Sequence, residues 1–345
     1  MLLKLFNAMK YLNVYLFVLL FIILFTGCIK DIDITAPGQE TTIVYALLDI
    51  RDTKHFVRIE KAFLDKEKSA LVMAKETDSI YYGDILKVTV TDMTNGTVFT
   101  LNKVYGDTTG IPKDSGIFSN TPNVLYSFDA TLQKDHPYKL IVKNTQSGNE
   151  VYSQIMLANI PKFLFPISGI EIGIVDTIPY TIKWQTQPND KVFDLIVRFN
   201  YSERNIITNT TIFKSYEYIA LKGISSNGLG GGETIEKKIN KAEIYKRLAL
   251  YLKQDINLER RVVTGNTLEF ILYAAGDEYD KYLQIKNAQG GITSLSYLPT
   301  YTNVNNGLGL VSSRTYSKVN NITISQVSRD SLAYGYYTKD LGFLP

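Results

Sequence analysis

Residues 85–101, ILKVTVTDMTNGTVFTL, show most plainly how this chain is expected to fold. Val88 and Val90 alternate with polar residues, which is the period of a β-strand with one buried face. The dipeptide Asn95-Gly96 predicts a type I′ turn, because both central positions of that turn need positive φ. The stretch therefore predicts a β-hairpin.

Similar runs flank this hairpin in the first half of the chain. The other strands predicted there cover residues 44–50, 55–62, 126–130, 138–143 and 151–157. Short strands at this spacing, separated by turn signals, predict a β-sandwich. Tyr138 resembles the tyrosine that braces a corner in fibronectin-type domains, and an ordinary alternating strand is the alternative interpretation.

A second sandwich is predicted after a linker at residues 159–162. The run 182–184, Ile-Lys-Trp, precedes residues 193–199, whose apolar side chains fall on one face. This pair resembles the core strands of a fibronectin type III fold. We expect Trp184, the only tryptophan of the chain, to fill the core of this sandwich.

Two helices are predicted within the second half. Asn240 would cap a helix over residues 240–254, with Glu243 completing a capping box. Asp277 would begin a second helix that ends near residue 289. The side chains expected to face inward are Ile244, Leu248, Tyr251 and Leu252 in the first, and Tyr279, Tyr282 and Leu283 in the second. The predicted fold class is mainly β, with two immunoglobulin- or fibronectin-III-like sandwiches in series and helical insertions in the second.

The first 28 residues have the layout of a lipoprotein export signal. Lys4 and Lys10 precede an apolar run, 11–25, that is shorter than the ~20 residues needed to span a bilayer. Cys28, the only cysteine, stands at the expected cleavage site, so residues 1–27 would be removed and Cys28 acylated. Several acyl chains hold a protein stably on a membrane. A signal anchor with an incidental cysteine is the alternative.

Residues 28–41 are expected to form a tether between the lipid and the fold. Residues 29–33, Ile-Lys-Asp-Ile-Asp, resemble the signal that carries Bacteroidota lipoproteins to the outer face of the outer membrane; a merely solvated acidic tether is the alternative. We therefore expect a lipid-anchored outer-membrane protein exposed on the cell surface. Residues 42–160 and 161–345 would form the two sandwiches.

The charge balance and cysteine content narrow the function. Once the signal is removed, the number of lysines and arginines nearly equals the number of aspartates and glutamates. Because proteins that bind nucleic acid have a basic patch, this balance argues against nucleic-acid binding. With Cys28 acylated, no cysteine is left for a disulfide, so each core must rely on apolar burial. His55 and His136 are the only histidines, too few for a zinc site and without a motif for Ser–His–Asp catalysis. Both are expected to be structural.

Two groups of acidic residues are weak candidates for a catalytic or metal site. Asp277, Glu278 and Asp280 could serve as glycosidase carboxylates, but acids also favour the first turn of a helix. Asp107 and Asp114 could hold calcium, although no EF-hand loop surrounds them.

The glycine clusters lack the partners of a nucleotide site. Gly228–Gly232 has no following Lys-Ser/Thr and is expected to be a mobile loop, whereas Gly307–Gly309 is expected to be a strand-entry turn. The sequence thus predicts no cofactor and no enzymatic activity.

Three segments together resemble a known family. They are residues 41–45, residues 269–283 and residues 301–310, which read TTIVY, EFILYAAGDEYDKYL and YTNVNNGLGL. With the lipoprotein start, they resemble the Bacteroidota lipoproteins of domain-of-unknown-function family 4249. Val311 stands close behind the Gly-Leu-Gly stretch, where the family usually has phenylalanine. The resemblance implies a gene beside a TonB-dependent receptor and an accessory role for the lipoprotein.

These observations favour a non-enzymatic accessory or binding lipoprotein that works with a TonB-dependent receptor. A carbohydrate- or matrix-binding adhesin is the second hypothesis, with tyrosines beside Gly228–Gly232 as its contact surface. A glycoside hydrolase using Asp277 or Asp280 is the third.

Overall fold

The computed structural model describes residues 41–62, residues 70–288 apart from 115, 117–118, 120 and 176–177, and residues 301–345. The predicted signal peptide, Cys28 and nearly all of the predicted tether lie outside the described residues. Among the described helices, none combines the length and the apolar character needed to cross a bilayer.

Strands are the main regular secondary structure of the described chain. Those of the first half are β1 (Thr41–Leu48), β2 (Lys54–Ala62), β3 (Leu86–Asp92), β4 (Val98–Thr100), β5 (Asn102–Tyr105), β6 (Val124–Asp129), β7 (Pro137–Asn144) and β8 (Glu150–Met156). Those of the second half are β9 (Lys162–Phe165), β10 (Glu171–Ile172), β11 (Tyr180–Gln185), β12 (Val192–Asn205), β13 (Thr210–Ser225), β14 (Thr234–Ile239), β15 (Leu258–Val262), β16 (Leu268–Ala275) and β17 (Leu308–Ile324). Every strand predicted in the first half falls on one of these.

The helices are short and few in the described residues. They are α1 (Ala70–Met73), α2 (Thr77–Ile80), α3 (Glu243–Tyr251), α4 (Asp277–Ala288) and α5 (Gln326–Tyr334), with a 3₁₀ turn at Gly106–Thr108. Both predicted helices are present as α3 and α4, and both lie in the second half.

Within the described residues, a ten-stranded sheet runs through both halves of the chain. Its main path is β13-β12-β16-β17-β1-β2-β6-β5, while β10 pairs with β17 and β15 with β12. Two smaller sheets have the orders β4-β3-β7-β8 and β14-β11-β9. The predicted class, mainly β with sandwich-like sheets, is confirmed.

Two hydrophobic cores lie between the large sheet and the small ones. The first joins β1 and β2, through Val44 and Val57, to Val88 of β3 and Val142 of β7. The second joins alternate residues of β12 to Trp184 of β11 and to α3. Phe193, Leu195, Val197 and Phe199 are all buried, as their alternation predicts. Trp184 is 0% exposed, so its predicted place in the second core is confirmed.

Strand β17 belongs to both cores, which the sequence did not indicate. Its first residues pair in parallel with β1, from Ile43 opposite Leu308 onward, and its later residues pair with β16. Val311 lies in the first core and Ile322 in the second. The two sandwiches are therefore joined by a shared strand as well as by chain connectivity.

The close approach of β17 to β1 explains its glycine-rich entry. Gly309 has φ +120°, and a Cβ on it would lie 1.9 Å from the carbonyl oxygen of Val44. Asn303 brackets the same strand, since its Nδ2 donates to the Val311 oxygen at 2.6 Å and its Oδ1 accepts from the Val311 amide at 2.9 Å. Gly307–Gly309 is thus a strand entry, as expected.

The hairpin of β3 and β4 is present, but its predicted type I′ turn is wrong. Gly96 has positive φ (75°), whereas Asn95 does not. The physical reason is Asp92, whose carboxylate accepts from the Thr94 amide at 2.9 Å and so favours a longer loop. The Gly96 amide then closes that loop on the Asp92 carbonyl at 2.8 Å.

Tyr138 does brace a corner. Its buried hydroxyl accepts a hydrogen bond from the backbone amide of Gln133 at 2.7 Å, five positions upstream. That contact is the one a tyrosine corner makes in fibronectin-type and immunoglobulin domains. The structure therefore favours this interpretation over an ordinary alternating strand.

The predicted start of α3 is wrong by three residues. Asn240 Oδ1 accepts from the Ala242 amide at 3.1 Å, and the helix begins only at Glu243. Asn240 therefore stabilises a turn before the helix, so Glu243 closes no capping box. Tyr251 is 56% exposed instead of facing inward, and its ring packs against Tyr216 of β13 at a centroid distance of 4.5 Å.

The predicted linker at residues 159–162 is packed into the fold. Asn159 is buried, and its Nδ2 donates to Asp135 Oδ1 at 2.9 Å and to the Pro188 oxygen at 3.0 Å. The preceding Ala158 amide donates to Ser313 Oγ of β17 at 2.6 Å. These hydrogen bonds fix the passage between the halves.

Candidate functional site

A concave surface lies between α4 and the outer face of the large sheet. Two cavities, of about 680 and 220 Å³, share Leu47, Tyr279, Leu283 and Arg314, so we treat them as one α4 groove. Its other lining side chains include Tyr45, Lys54, Phe56, Arg58, Asp194, Tyr273, Tyr282 and Lys286. Ligand pockets of proteins typically measure a few hundred to ~1,000 Å³, so the groove is large enough for a small molecule.

The alternation of the strands explains which side chains reach the groove. In β1, Val44, Ala46 and Leu48 are buried in the first core, whereas Tyr45 and Leu47 point to the opposite, exposed face. Successive side chains of a strand point to opposite faces, so one apolar pattern fills the core and the other lines the groove.

Helix α4 supplies the other wall. Tyr279 and Leu283 are one turn apart, so they lie on the same face of the helix and both line the groove. The rings of Tyr279 and Tyr282 are 6.1 Å apart, and the ammonium group of Lys286 lies 5.9 Å from the Tyr282 ring centroid. Tyrosine rings and a cation thus face the sheet along one side of the helix.

The groove carries more positive than negative charge. Lys54, Arg58, Lys286 and Arg314 line it, against Asp52 and Asp194. Arg58 is 3.4 Å from Glu60. Within the described residues, no carboxylate lies within salt-bridge distance of Lys54, Lys286 or Arg314, so these cations are available to an anion.

Burial changes the acidity of the groove tyrosines. It raises the pKa of the Tyr45 hydroxyl, with further contributions from Tyr282 and Glu60. It also raises the pKa of Tyr279, where Asp194 adds to the effect and Arg314 opposes it. Both hydroxyls therefore stay protonated at neutral pH and can donate hydrogen bonds to a ligand.

Both histidines have structural partners. His55 is buried, its Nε2 lies 3.0 Å from the Ala130 oxygen, and its ring stacks on Phe128 at 4.8 Å. His136 Nδ1 lies 2.7 Å from Asp92 Oδ2. Burial acts to raise the pKa of Asp92, but hydrogen bonds from His136 and the loop amides outweigh it and hold that pKa below its usual value.

The three acids of α4 lie in its first turn, as predicted. Asp277 pairs with Lys281 at 2.6 Å, and Glu278 accepts from the Tyr301 hydroxyl. Asp280 is buried and accepts from Ser225 Oγ at 2.8 Å and from Gln284 Nε2 at 2.7 Å. Each carboxylate thus has its own structural partner, and the contacts of Asp280 attach the helix to β13.

The remaining predicted sites also have local explanations. Asp107 is exposed in the 3₁₀ turn, and no group of three or more metal-ligating His, Cys, Asp or Glu side chains occurs in the part of the chain that the structure describes. The loop Gly228–Gly232 was expected to be mobile, but hydrogen bonds close it. The Gly232 amide donates to the Thr186 oxygen at 2.9 Å, and Asn227 Nδ2 donates to Glu233 at 2.8 Å.

The sequence pattern predicts only one wall of the groove. Helical periodicity places Tyr279, Tyr282 and Leu283 on one helix face, but no local pattern associates that face with Tyr45 or Arg314. Those two residues come from β1 and β17, which become neighbours through a parallel pairing of distant segments. The outward-facing aromatic residues of β1 and β2 were the available signal.

Comparisons with known proteins identify no family for this chain. No protein-family model matches the chain, and no curated protein matches it. Among the solved structures that match, one titled "Crystal structure of CBD12 from CALX1.2" covers 82% of this chain and 99% of that chain. Its sequence identity is 9% and its TM-score 0.17, a likeness that carries no argument about function.

Proposed function

We propose that this chain is a lipid-anchored outer-membrane protein that binds a ligand without transforming it, as an accessory to a TonB-dependent receptor at the cell surface. The α4 groove carries this proposal. A concave surface lined by aromatic side chains and a few convergent polar groups is typical of ligand binding. Acylation of Cys28 and membership in family 4249 are part of the same proposal.

The position of the groove along the chain supports a role close to the anchor. Strand β1 begins at Thr41, directly where the predicted tether from Cys28 ends, and it contributes Tyr45 and Leu47 to the groove. An acylated Cys28 would therefore be joined to the groove by a short length of chain. Such a tether raises the effective concentration of the groove near a membrane receptor.

The anchor is tested by palmitate labelling of the wild type and of Cys28→Ala, followed by membrane fractionation. We expect labelled wild-type protein in the outer membrane and an unlabelled variant. Label that persists in Cys28→Ala, or a wild-type protein found only in the soluble fraction, would contradict the anchor. Protease treatment of intact cells separately tests surface exposure.

The partner is tested by affinity purification from detergent-solubilised outer membranes through a C-terminal tag. We expect a TonB-dependent receptor to be retained after stringent washing, and not with an unrelated lipoprotein that carries the same tag. If repeated preparations contain no such receptor, the accessory role is wrong.

Carbohydrate binding is the second candidate function. The observation that favours it is the pair Tyr45 and Tyr282, which both line the same groove. Tyr45 is 48% exposed, so its ring is accessible to a ligand. This candidate is compatible with the accessory role, because an accessory protein can capture the ligand that its receptor transports.

A further inference from the structure

The α4 groove combines ring surfaces with cations that have no carboxylate partner among the described residues, and this combination indicates which class of ligand fits it. Tyr45 and Phe56 lie on neighbouring antiparallel strands, and Tyr282 faces them from α4. Tyr45 and Tyr282 line the same cavity of about 680 Å³. The groove therefore offers aromatic surface from two sides.

The cations surround this aromatic surface. Lys54 comes from β2, Lys286 from the last turns of α4 and Arg314 from β17. Arg314 lines both cavities together with Tyr279 and Leu283, so it faces the helix wall. An anion in the groove would gain charge-assisted hydrogen bonds from these side chains, which are stronger than neutral ones.

Other classes of ligand would contact either the aromatic rings or the cations of the groove, but not both. A neutral sugar would leave Lys54, Lys286 and Arg314 without partners, and a small carboxylate without a ring would leave the tyrosines uncovered. A hydrocarbon chain would desolvate the cations without compensation, which costs free energy. An acidic sugar carries a ring and a negative charge on the same unit.

We infer that the α4 groove binds an acidic oligosaccharide, with sugar rings stacked on Tyr45 and Tyr282 and with acidic groups held by Arg314, Lys286 and Lys54. This inference rests on the proposed function, in which the groove is a ligand site. The acidic group can be a carboxylate, as in uronic acids, or a sulfate, since guanidinium and ammonium groups bind both.

Isothermal titration calorimetry of the full-length protein in detergent, at physiological ionic strength, tests the inference. The probes are trigalacturonate, a heparin-derived tetrasaccharide, the neutral trisaccharide maltotriose, and tricarballylate, which has carboxylates but no ring. We expect trigalacturonate or the heparin fragment to bind at least about tenfold more tightly than maltotriose and tricarballylate, because only they use both features. The preferred probe identifies the acidic group as carboxylate or sulfate.

Variants of the groove residues test whether the sugar binds there, and they separate the contribution of the cations from that of the aromatic rings. Arg314→Gln combined with Lys286→Gln should weaken binding of the acidic sugar at least about tenfold, because the two changes remove two cations that would donate charge-assisted hydrogen bonds to it. Lys143→Gln combined with Lys162→Gln removes the same charge from exposed sites outside the groove and should leave binding unchanged. Tyr282→Ala should reduce the preference for the acidic sugar over tricarballylate.

The experiments distinguish failure of the inferred ligand from failure of the proposed accessory role. Equal binding of maltotriose, equal binding of tricarballylate, no binding of either acidic sugar, or equal losses in the two double variants would each overturn the inferred ligand. Copurification of the receptor would still support the accessory role in those cases. Conversely, specific binding of an acidic sugar without any copurifying receptor would support the ligand and contradict the partner.

Discussion

The guanidinium of Arg260 donates through Nε to Glu203 at 3.0 Å, and both side chains are almost wholly buried. Lys214 donates to the other carboxylate oxygen at 2.6 Å. Arg260 also donates to the carbonyl oxygens of Leu341 and, at 3.2 Å, of Lys253. The pair thus fixes the C-terminal segment to β12.

Glu203→Gln should destabilise the protein strongly, because it leaves the charge of Arg260 buried without its anion. We expect a loss of about 3–5 kcal/mol in the free energy of unfolding, measured by urea denaturation. Burial acts to raise the pKa of Glu203, but Lys214 and Arg260 outweigh it and lower that pKa. The stabilisation is therefore present above the usual carboxyl pKa and is lost as the pH falls through the lowered value.

Glu217→Gln is the matched control for that change. Glu217 accepts from Arg198 at 2.6 Å, but its side chain is 42% exposed. Exposed ion pairs contribute ~1 kcal/mol or less, so this variant should change the unfolding free energy little. Similar losses in both variants would show that burial of the Arg260 pair does not matter.

Tyr138→Phe tests the brace at the corner of the first sandwich. The change removes only the hydroxyl that accepts from the Gln133 amide, so that amide is left without its partner. We expect a cost of about 1–3 kcal/mol in thermal or urea unfolding. Tyr336→Phe, at a position that is 84% exposed, should cost nothing measurable. An unchanged stability of Tyr138→Phe would mean that the hydroxyl does not brace the corner.

Trp184→Ala tests the second core. Removing this fully buried ring should cost about 3–5 kcal/mol in unfolding free energy. Phe213→Ala removes an aromatic ring that is 79% exposed and serves as the control. Because Trp184 is the only tryptophan, its fluorescence reports this core directly. Quenching by iodide as efficient as that of free tryptophan would contradict its burial.

Local patterns predicted most of the strands, because a strand with one buried face shows its period within a few residues. The alternation at Phe193–Phe199 and the apolar run that became β1 are examples. Features that depend on a competing side chain were predicted wrongly. Asp92 altered the turn at Asn95-Gly96, and Asn240 stabilised a turn instead of capping α3.

These local patterns could not predict which strands pair when the strands are distant in sequence. The parallel pairing of β1 with β17 joins Ile43 to Leu308, and no local period encodes the partner of a strand. The α4 groove depends on that pairing, because it brings Tyr45 and Arg314 onto one sheet face under α4. The sequence therefore predicted the fold class and one helix face of the site, but not the site itself.

Asp190→Asn should make the stability of the protein less dependent on pH. Asp190 is 0% exposed; its Oδ2 accepts from the Gln187 amide at 2.8 Å, while Oδ1 has no hydrogen-bond partner in the described residues. Burial raises the pKa of this carboxyl from 3.8 to about 7, against the opposing effect of the hydrogen bond from the Gln187 amide and of the Asn159 amide nearby. The folded protein thus favours the neutral acid more than the unfolded chain does.

The raised pKa of Asp190 determines the direction in which stability changes with pH. The stability contributed by neutral Asp190 is fully present below the unfolded pKa of 3.8 and is lost as the pH rises through about 7. Asn keeps an acceptor for the Gln187 amide but has no charge to bury. Urea midpoints measured between these pH values should therefore fall less with rising pH in Asp190→Asn than in the wild type. Asp107→Asn, at an exposed carboxylate, should follow the wild-type curve, and identical curves for all three proteins would refute the assignment to Asp190.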